Sequence, residues 1–196
     1  MKVIRRTKIR PVLWAGGLLA TVLIGVLLWI LCDPVRDLWV DDTRYAAEIR
    51  EAAMRHGLPP DLVRALIFRE SRFDPNARGK AGEVGLMQIL PTGSAAEWAR
   101  VHRKPAPSAR ELADVRTNLE IGCFYLARGM RRWRVYKGRT ALALCQYNAG
   151  ESRAAKWCPD DPDDADILPR ITIRSTREYV RAVLTRYWRY CERREK

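Results

Sequence analysis

An all-α domain carried behind one membrane-crossing helix is the fold class this sequence predicts, on three observations. From residue 43 onward, apolar residues recur at the three- and four-residue spacing of helices, and no alternating strand pattern reaches a convincing length. Gly57, the glycines at 79, 82 and 85, the 105–108 region and Gly150 punctuate these stretches. Residues 12–31 form a run of 20 without a charged side chain, rich in Leu, Val and Ile. As helix such a run spans roughly 30 Å, the hydrocarbon thickness of a bilayer. The chain has 196 residues and no internal repeat. The portion beyond the apolar run is long enough for one domain with its own core.

Residues 1–11 hold Lys2, Arg5, Arg6, Lys8 and Arg10 and no acid, whereas Asp33, Asp37, Asp41 and Asp42 lie beyond the apolar run. Basic residues before the span place the N-terminus in the cytoplasm and the bulk of the chain outside it. Segment 12–32 reads as an anchor that is not removed. A cleaved signal peptide needs small residues before the cut, and a lipoprotein needs them before Cys32, but Trp29, Ile30 and Leu31 are all large. Residues 33–42 are a short linker, and 43–196 form the domain.

Within the domain, 43–56 predicts an amphipathic helix closed by Gly57. Pro59, Pro60 and Asp61 start a second helix that runs through Glu70. Gly79, Gly82 and Gly85 mark a loop. Helices are then expected over 91–103, up to a break at 105–108, over 117–134, and over 139–149 with a stop at Gly150. A short helix near 151–157 precedes an acidic loop at 159–169, and a last helix covers 175–192.

Composition excludes several functions. The net charge of +13 falls to +8 once the five basic residues of the N-terminal segment are set aside, a surplus that favours anionic partners. Nucleic acid is not expected among them: the basic residues are scattered through the helices, and the domain lies outside the cytoplasm. No cofactor or metal is expected. Cys123, Cys145, Cys158 and Cys191 have no C-x-x-C spacing, and His56 and His102 stand apart from them, which argues against zinc. The loop with Asp160, Asp161, Asp163, Asp164 and Asp166 lacks the glycine and closing Glu of a calcium loop. An even number of cysteines in an exported domain permits two disulfides, in any of three pairings, or four free thiols.

One charge stands where a charge should not. Val63, Leu66 and Ile67 precede Glu70 by seven, four and three residues, so the carboxylate shares the apolar face of its helix. A carboxyl group against an apolar wall, at the negative end of a helix, is held in its neutral form. That makes a proton donor at neutral pH.

Four short signatures stand in order along the chain: Glu70-Ser71 with Phe73 and Pro75; Gly85-Leu86-Met87-Gln88-Ile89 before Pro91; Ala143-Leu144-Cys145-Gln146-Tyr147-Asn148-Ala149-Gly150; and Thr176-Arg177-Glu178-Tyr179-Val180. Together they resemble the lytic transglycosylases of the soluble-type (SLT) family, which share the goose-type lysozyme fold. The resemblance spans about 45–190. It implies a bacterial inner-membrane protein with its domain in the periplasm, acting on peptidoglycan strands. Glu70 would act as acid and then as base to give 1,6-anhydro ends, without a cofactor. Ser71, Met87, Gln88, Tyr147, Asn148 and Tyr179 are the substrate-binding residues it implies. Two positions depart from the usual pattern: Gln146 stands where Ala is common, and Ser175-Thr176 where Glu-Thr is common. Glu83 (and less so Asp74) offers a second carboxylate, which would allow a lysozyme-type hydrolase that activates water. A non-catalytic wall-binding scaffold is the remaining alternative, against which a buried acid argues.

Overall fold

The structure, a computed structural model, describes residues 21–26 and 37–194. It divides into two units, Met1–Val40 and Asp41–Lys196. In the first, residues 21–26 are helical and Asp37–Trp39 form a short 3-10 turn. Among the described residues no helix is long and apolar enough to cross a membrane. Most of the expected anchor, 12–32, lies outside the described residues.

The second unit is built from α1 (Ala46–Arg55), α2 (Pro60–Ser71), α3 (Ala96–His102), α4 (Val115–Arg132), α5 (Arg139–Ala149), α6 (Glu151–Lys156) and α7 (Arg174–Arg194). Pro60 opens α2, where its fixed φ suits the first turn and its missing N–H costs nothing. The next turns bury Leu62, Val63, Ala65, Leu66, Ile67 and Phe68, so nearly every face of α2 is covered. Full burial of each Leu or Ile stabilises by about 1.5–3 kcal/mol. Asp114 caps α4 by accepting the Thr117 N–H at 2.9 Å. In α5, Ala141 to Gln146 are all buried. Helix α2 packs on α1 and α7, and α5 packs on α4, α6 and α7. Gly129 of α4 lets α5 come close: a Cβ there would lie 3.2 Å from Ala143 Cα.

The helical expectation holds, with two local differences. Expected helix 91–103 begins as a wider turn, Pro91–Ala95, closed by the Ala95 N–H to Leu90 C=O at 3.1 Å, before α3 proper. Pro91 brings no donor and Gly93 little helix preference, so the first turn is loose. Loop 76–90 is not featureless either. Val84 forms isolated antiparallel bridges with Arg78 and Ile89. These pairings are too short and too broken by glycine to give a strand pattern. All four cysteines of the domain are free thiols; Cys123 and Cys145 are buried.

Candidate active site

Helix α2 ends one residue past Glu70. Arg72 and Phe73 both take left-handed backbone (φ 50° and 66°), uncommon for non-glycine residues and costing on the order of 1–2 kcal/mol each. Burial of Phe73, 2% exposed and edge-on to Phe68 at 6.4 Å, offsets that cost. The sharp turn leaves Glu70 at the open end of the helix. Ser71 faces the other way: its hydroxyl donates to Leu86 O at 2.8 Å and Ile67 O at 3.3 Å, tying the helix end to the next loop.

Burial raises the Glu70 carboxyl to a pKa of about 7. The Tyr179 hydroxyl, which donates to Glu70 Oε1 at 2.6 Å, and the nearby Arg69 charge pull it down, while Glu83 pushes it up. Arg69 also lies 5.5 Å from the centre of the Tyr179 ring. Tyr179 is 3% exposed, and burial pushes its phenol well above its ordinary range, so it stays a donor.

The loop before α3 is shaped by residues that cannot be exchanged freely. Gly85 has φ 81°, and a Cβ on it would lie 2.3 Å from Asn118 Nδ2 and 2.8 Å from Leu112 O. Asn118 of α4 is buried and uses both ends of its amide. Nδ2 donates to Val84 O at 2.8 Å and Leu112 O at 2.7 Å, and Oδ1 accepts Met87 N–H at 2.8 Å. Gln88 is left-handed (φ 49°), and its Nε2 donates to Gly85 O at 2.9 Å and Ala77 O at 3.3 Å. Met87 corrects the expectation of a sugar contact: its side chain is fully buried, packed where a Cβ on Gly122 would meet its Sδ at 2.3 Å. An unbranched thioether fills the gap over that glycine, so the side chain turns inward.

Its carbonyl has a use all the same. The Tyr147 hydroxyl, at the end of α5, donates to Met87 O at 2.8 Å. Asn148 beside it is exposed. Gln146, one of the two departures, is buried and accepts the Trp133 indole N–H at 2.9 Å. The Tyr125 ring stands edge-on to Tyr147 at 6.4 Å, and its hydroxyl donates to Glu97, which also pairs with Arg128.

These ends of α2 and α5 and the loop enclose a groove of about 450 Å³. Glu70, Gln88, Tyr147 and Asn148 line it, together with Lys80, Glu83, Ser94 and Tyr125. Ser71, Met87 and Tyr179 are not in its wall and act from behind. Asn118 and Tyr125 are not among the site residues that sequence reasoning finds. Asn118 had a signal of the same kind as Glu70, a polar group three and four residues before Ile121 and Gly122 on the buried face of α4. Tyr125 had none, since its partner Glu97 lies on another helix. No cluster of His, Cys, Asp and Glu that could hold a metal occurs among the described residues. The arrangement offers one neutral acid, a second carboxylate, and carboxamides and phenols suited to a neutral polyhydroxylated ligand.

Residues 47–167 match the Transglycosylase SLT domain family. The soluble lytic murein transglycosylase of Escherichia coli (strain K12) is 30% identical over 139 residues, covering 68% of this chain and 21% of the relative. Membrane-bound lytic murein transglycosylase E of Buchnera aphidicola is 34% identical over 80 residues, 40% of this chain and 36% of that protein. An inactive mutant of lytic transglycosylase Slt from Pseudomonas aeruginosa superposes with a TM-score of 0.69 at 28% identity, over 78% of this chain and 25% of that one. A complex of the 70-kDa soluble lytic transglycosylase with bulgecin A gives 0.68 at 25% identity, over 86% and 29%. The chain thus spans between a fifth and about a third of the length of these proteins.

Proposed function

Since this chain belongs to the SLT transglycosylase family, we propose that it cleaves peptidoglycan strands at the β-1,4 bond between N-acetylmuramic acid and N-acetylglucosamine. Glu70 protonates the glycosidic oxygen. The resulting carboxylate, steadied by the Tyr179 hydroxyl at 2.6 Å, takes the proton of the muramyl C6 hydroxyl. That oxygen closes on C1 to give a 1,6-anhydro end, and no water is consumed. One group serves both steps best when its pKa lies near the working pH. The carboxamides of Gln88 and Asn148 and the phenols of Tyr147 and Tyr125 offer partners to acetamides and hydroxyls along the groove.

The observation that carries the reading is a Glu70 carboxyl raised by burial to about 7 in the wall of an open groove. The test is digestion of purified sacculi by the full chain and by Glu70→Gln, with products read by mass spectrometry. Anhydro-muropeptides from the native chain and at least a 100-fold loss in the variant are expected. Equal release by both would overturn the proposal. A second reading, hydrolysis, is favoured by one observation: Glu83 lines the same groove. Reducing ends in place of anhydro ends would decide for it.

The anchor belongs to the same proposal. Residues 1–11 lie in the cytoplasm, 12–32 cross the inner membrane, 33–42 link, and 43–196 work on the periplasmic side. The charge-free run and the basic flank before it support this, and relatives are described as membrane-bound.

A further inference from the structure

Helix α7 holds seven arginines and two glutamates in 21 residues. Its inner face is apolar and aromatic: Tyr179, Val180, Val183 and Tyr190 are buried. Arg181, Thr185, Trp188, Arg189 and Glu192 recur four, three, one and three residues apart, which places them on one outward face, with Arg193 beside them. All are exposed, and Trp188 is 59% exposed, unusual for so large an apolar ring. Glu178 at the head of this face is paired with Arg174 at 2.8 Å. Among the described residues no ion pair engages Arg181, Arg189 or Arg193.

The chain joins the domain at this end of α7. Arg64 Nε donates to Asp42 O and Nη2 to Asp42 Oδ1, both at 2.6 Å, and its guanidinium lies 4.0 Å from the centre of the Tyr190 ring. Ten residues separate Leu31, the end of the charge-free run, from Asp42. Fully extended they reach about 35 Å. The linker is therefore long enough for a bilayer holding that run to be met by this C-terminal end of α7, with Trp188, Arg189 and Arg193.

We infer that the outward face of α7 around Arg181, Trp188, Arg189 and Arg193 docks onto anionic phospholipid headgroups of the bilayer that holds the anchor. Indole rings collect in the interfacial layer, and arginine pairs with lipid phosphate while its stem lies along apolar surface. The inference rests on the proposed anchor. Its consequence is geometric. Tyr179, which holds Glu70, sits nine residues before Trp188 on the same helix, about 14 Å along the axis. A docked α7 holds the groove at a set height above the lipid and directs it to membrane-proximal glycan.

The test uses the full chain with phospholipid vesicles, either wholly zwitterionic or with anionic lipid added, carrying bromine on the upper acyl carbons. Trp188→Phe isolates the Trp188 fluorescence by difference. Quenching of that component in anionic vesicles, and its loss in zwitterionic ones and in Arg181→Glu/Arg189→Glu, are expected. Raising the salt to about 1 M, where the Debye length is about 3 Å, should also weaken it. A chain that floats with both vesicle types while Trp188 is quenched in neither overturns the docking and leaves the anchor. A chain that floats only with anionic vesicles, with Trp188 quenched, supports the docking and removes the anchor. Flotation with neither overturns both. Sacculus binding that the Arg181→Glu/Arg189→Glu change abolishes, without any lipid quenching, assigns the surface to wall polymer and overturns the inference.

Discussion

The Tyr179 hydroxyl donates to Glu70 Oε1 at 2.6 Å, joining the start of α7 to the end of α2 across 109 residues of sequence. The bond stabilises the ionised carboxylate and opposes the burial that favours the neutral acid. The two influences leave the group near 7, where it can give up a proton and take one back.

Tyr179→Phe keeps the buried ring and removes the donor. A hydrogen bond to a charged group contributes about 1.5–3 kcal/mol, equivalent to about one to two pH units. Activity that needs protonated Glu70 falls as pH rises through its pKa, so the alkaline limb of kcat/KM should move upward by that amount. Initial rates of sacculus digestion across pH measure it, and an unmoved limb would refute the coupling.

Glu83→Gln should move the limb the other way. The Glu83 charge raises the Glu70 pKa, as the weakest of the contributions at work, so the downward shift is the smaller of the two. Turnover to anhydro products should persist. Loss of turnover would instead make Glu83 the base of a hydrolase.

Glu70→Gln should stabilise the fold, and only where the carboxylate would be ionised. The folded pKa is about 7 against an ordinary 4.5, so between these values the folded state binds more protons than the unfolded one. Stability then falls as pH rises through that window. At pH 4 the native chain and the variant should unfold alike. At pH 8 the variant should be more stable by at most about 3 kcal/mol. Urea titrations at the two pH values measure the difference.

Asn118→Ala should weaken both fold and site. It strands the Met87 N–H and the Leu112 carbonyl in a buried place, and leaves Val84 O only its bond from the Ile89 N–H. The expected cost is about 3 kcal/mol or more, seen as a fall in Tm, with a rise in KM as the Gln88 turn loosens.

Much of the site was legible in residues that obey or break a local rule. Glu70 breaks the apolar pattern of α2, Gly85 and Gly150 announce tight backbone, and Tyr147 and Asn148 precede a helix stop. Asn118 broke the same rule on α4, but with no second signature beside it. Met87 misled because a flexible thioether fits either a groove or a core, and only the absent side chain of Gly122, 35 residues further on, decides between them.

Helical content, the order of elements, the charge-free segment and the acid placed on an apolar helix face at Glu70 come from the sequence alone, because each is a pattern among neighbours along the chain. The tertiary structure alone decided which side chains face the groove, which hold it from behind, and where the Glu70 pKa comes to rest. Those outcomes depend on burial and on partners from distant helices, and a chain sets such distances only once its core has closed.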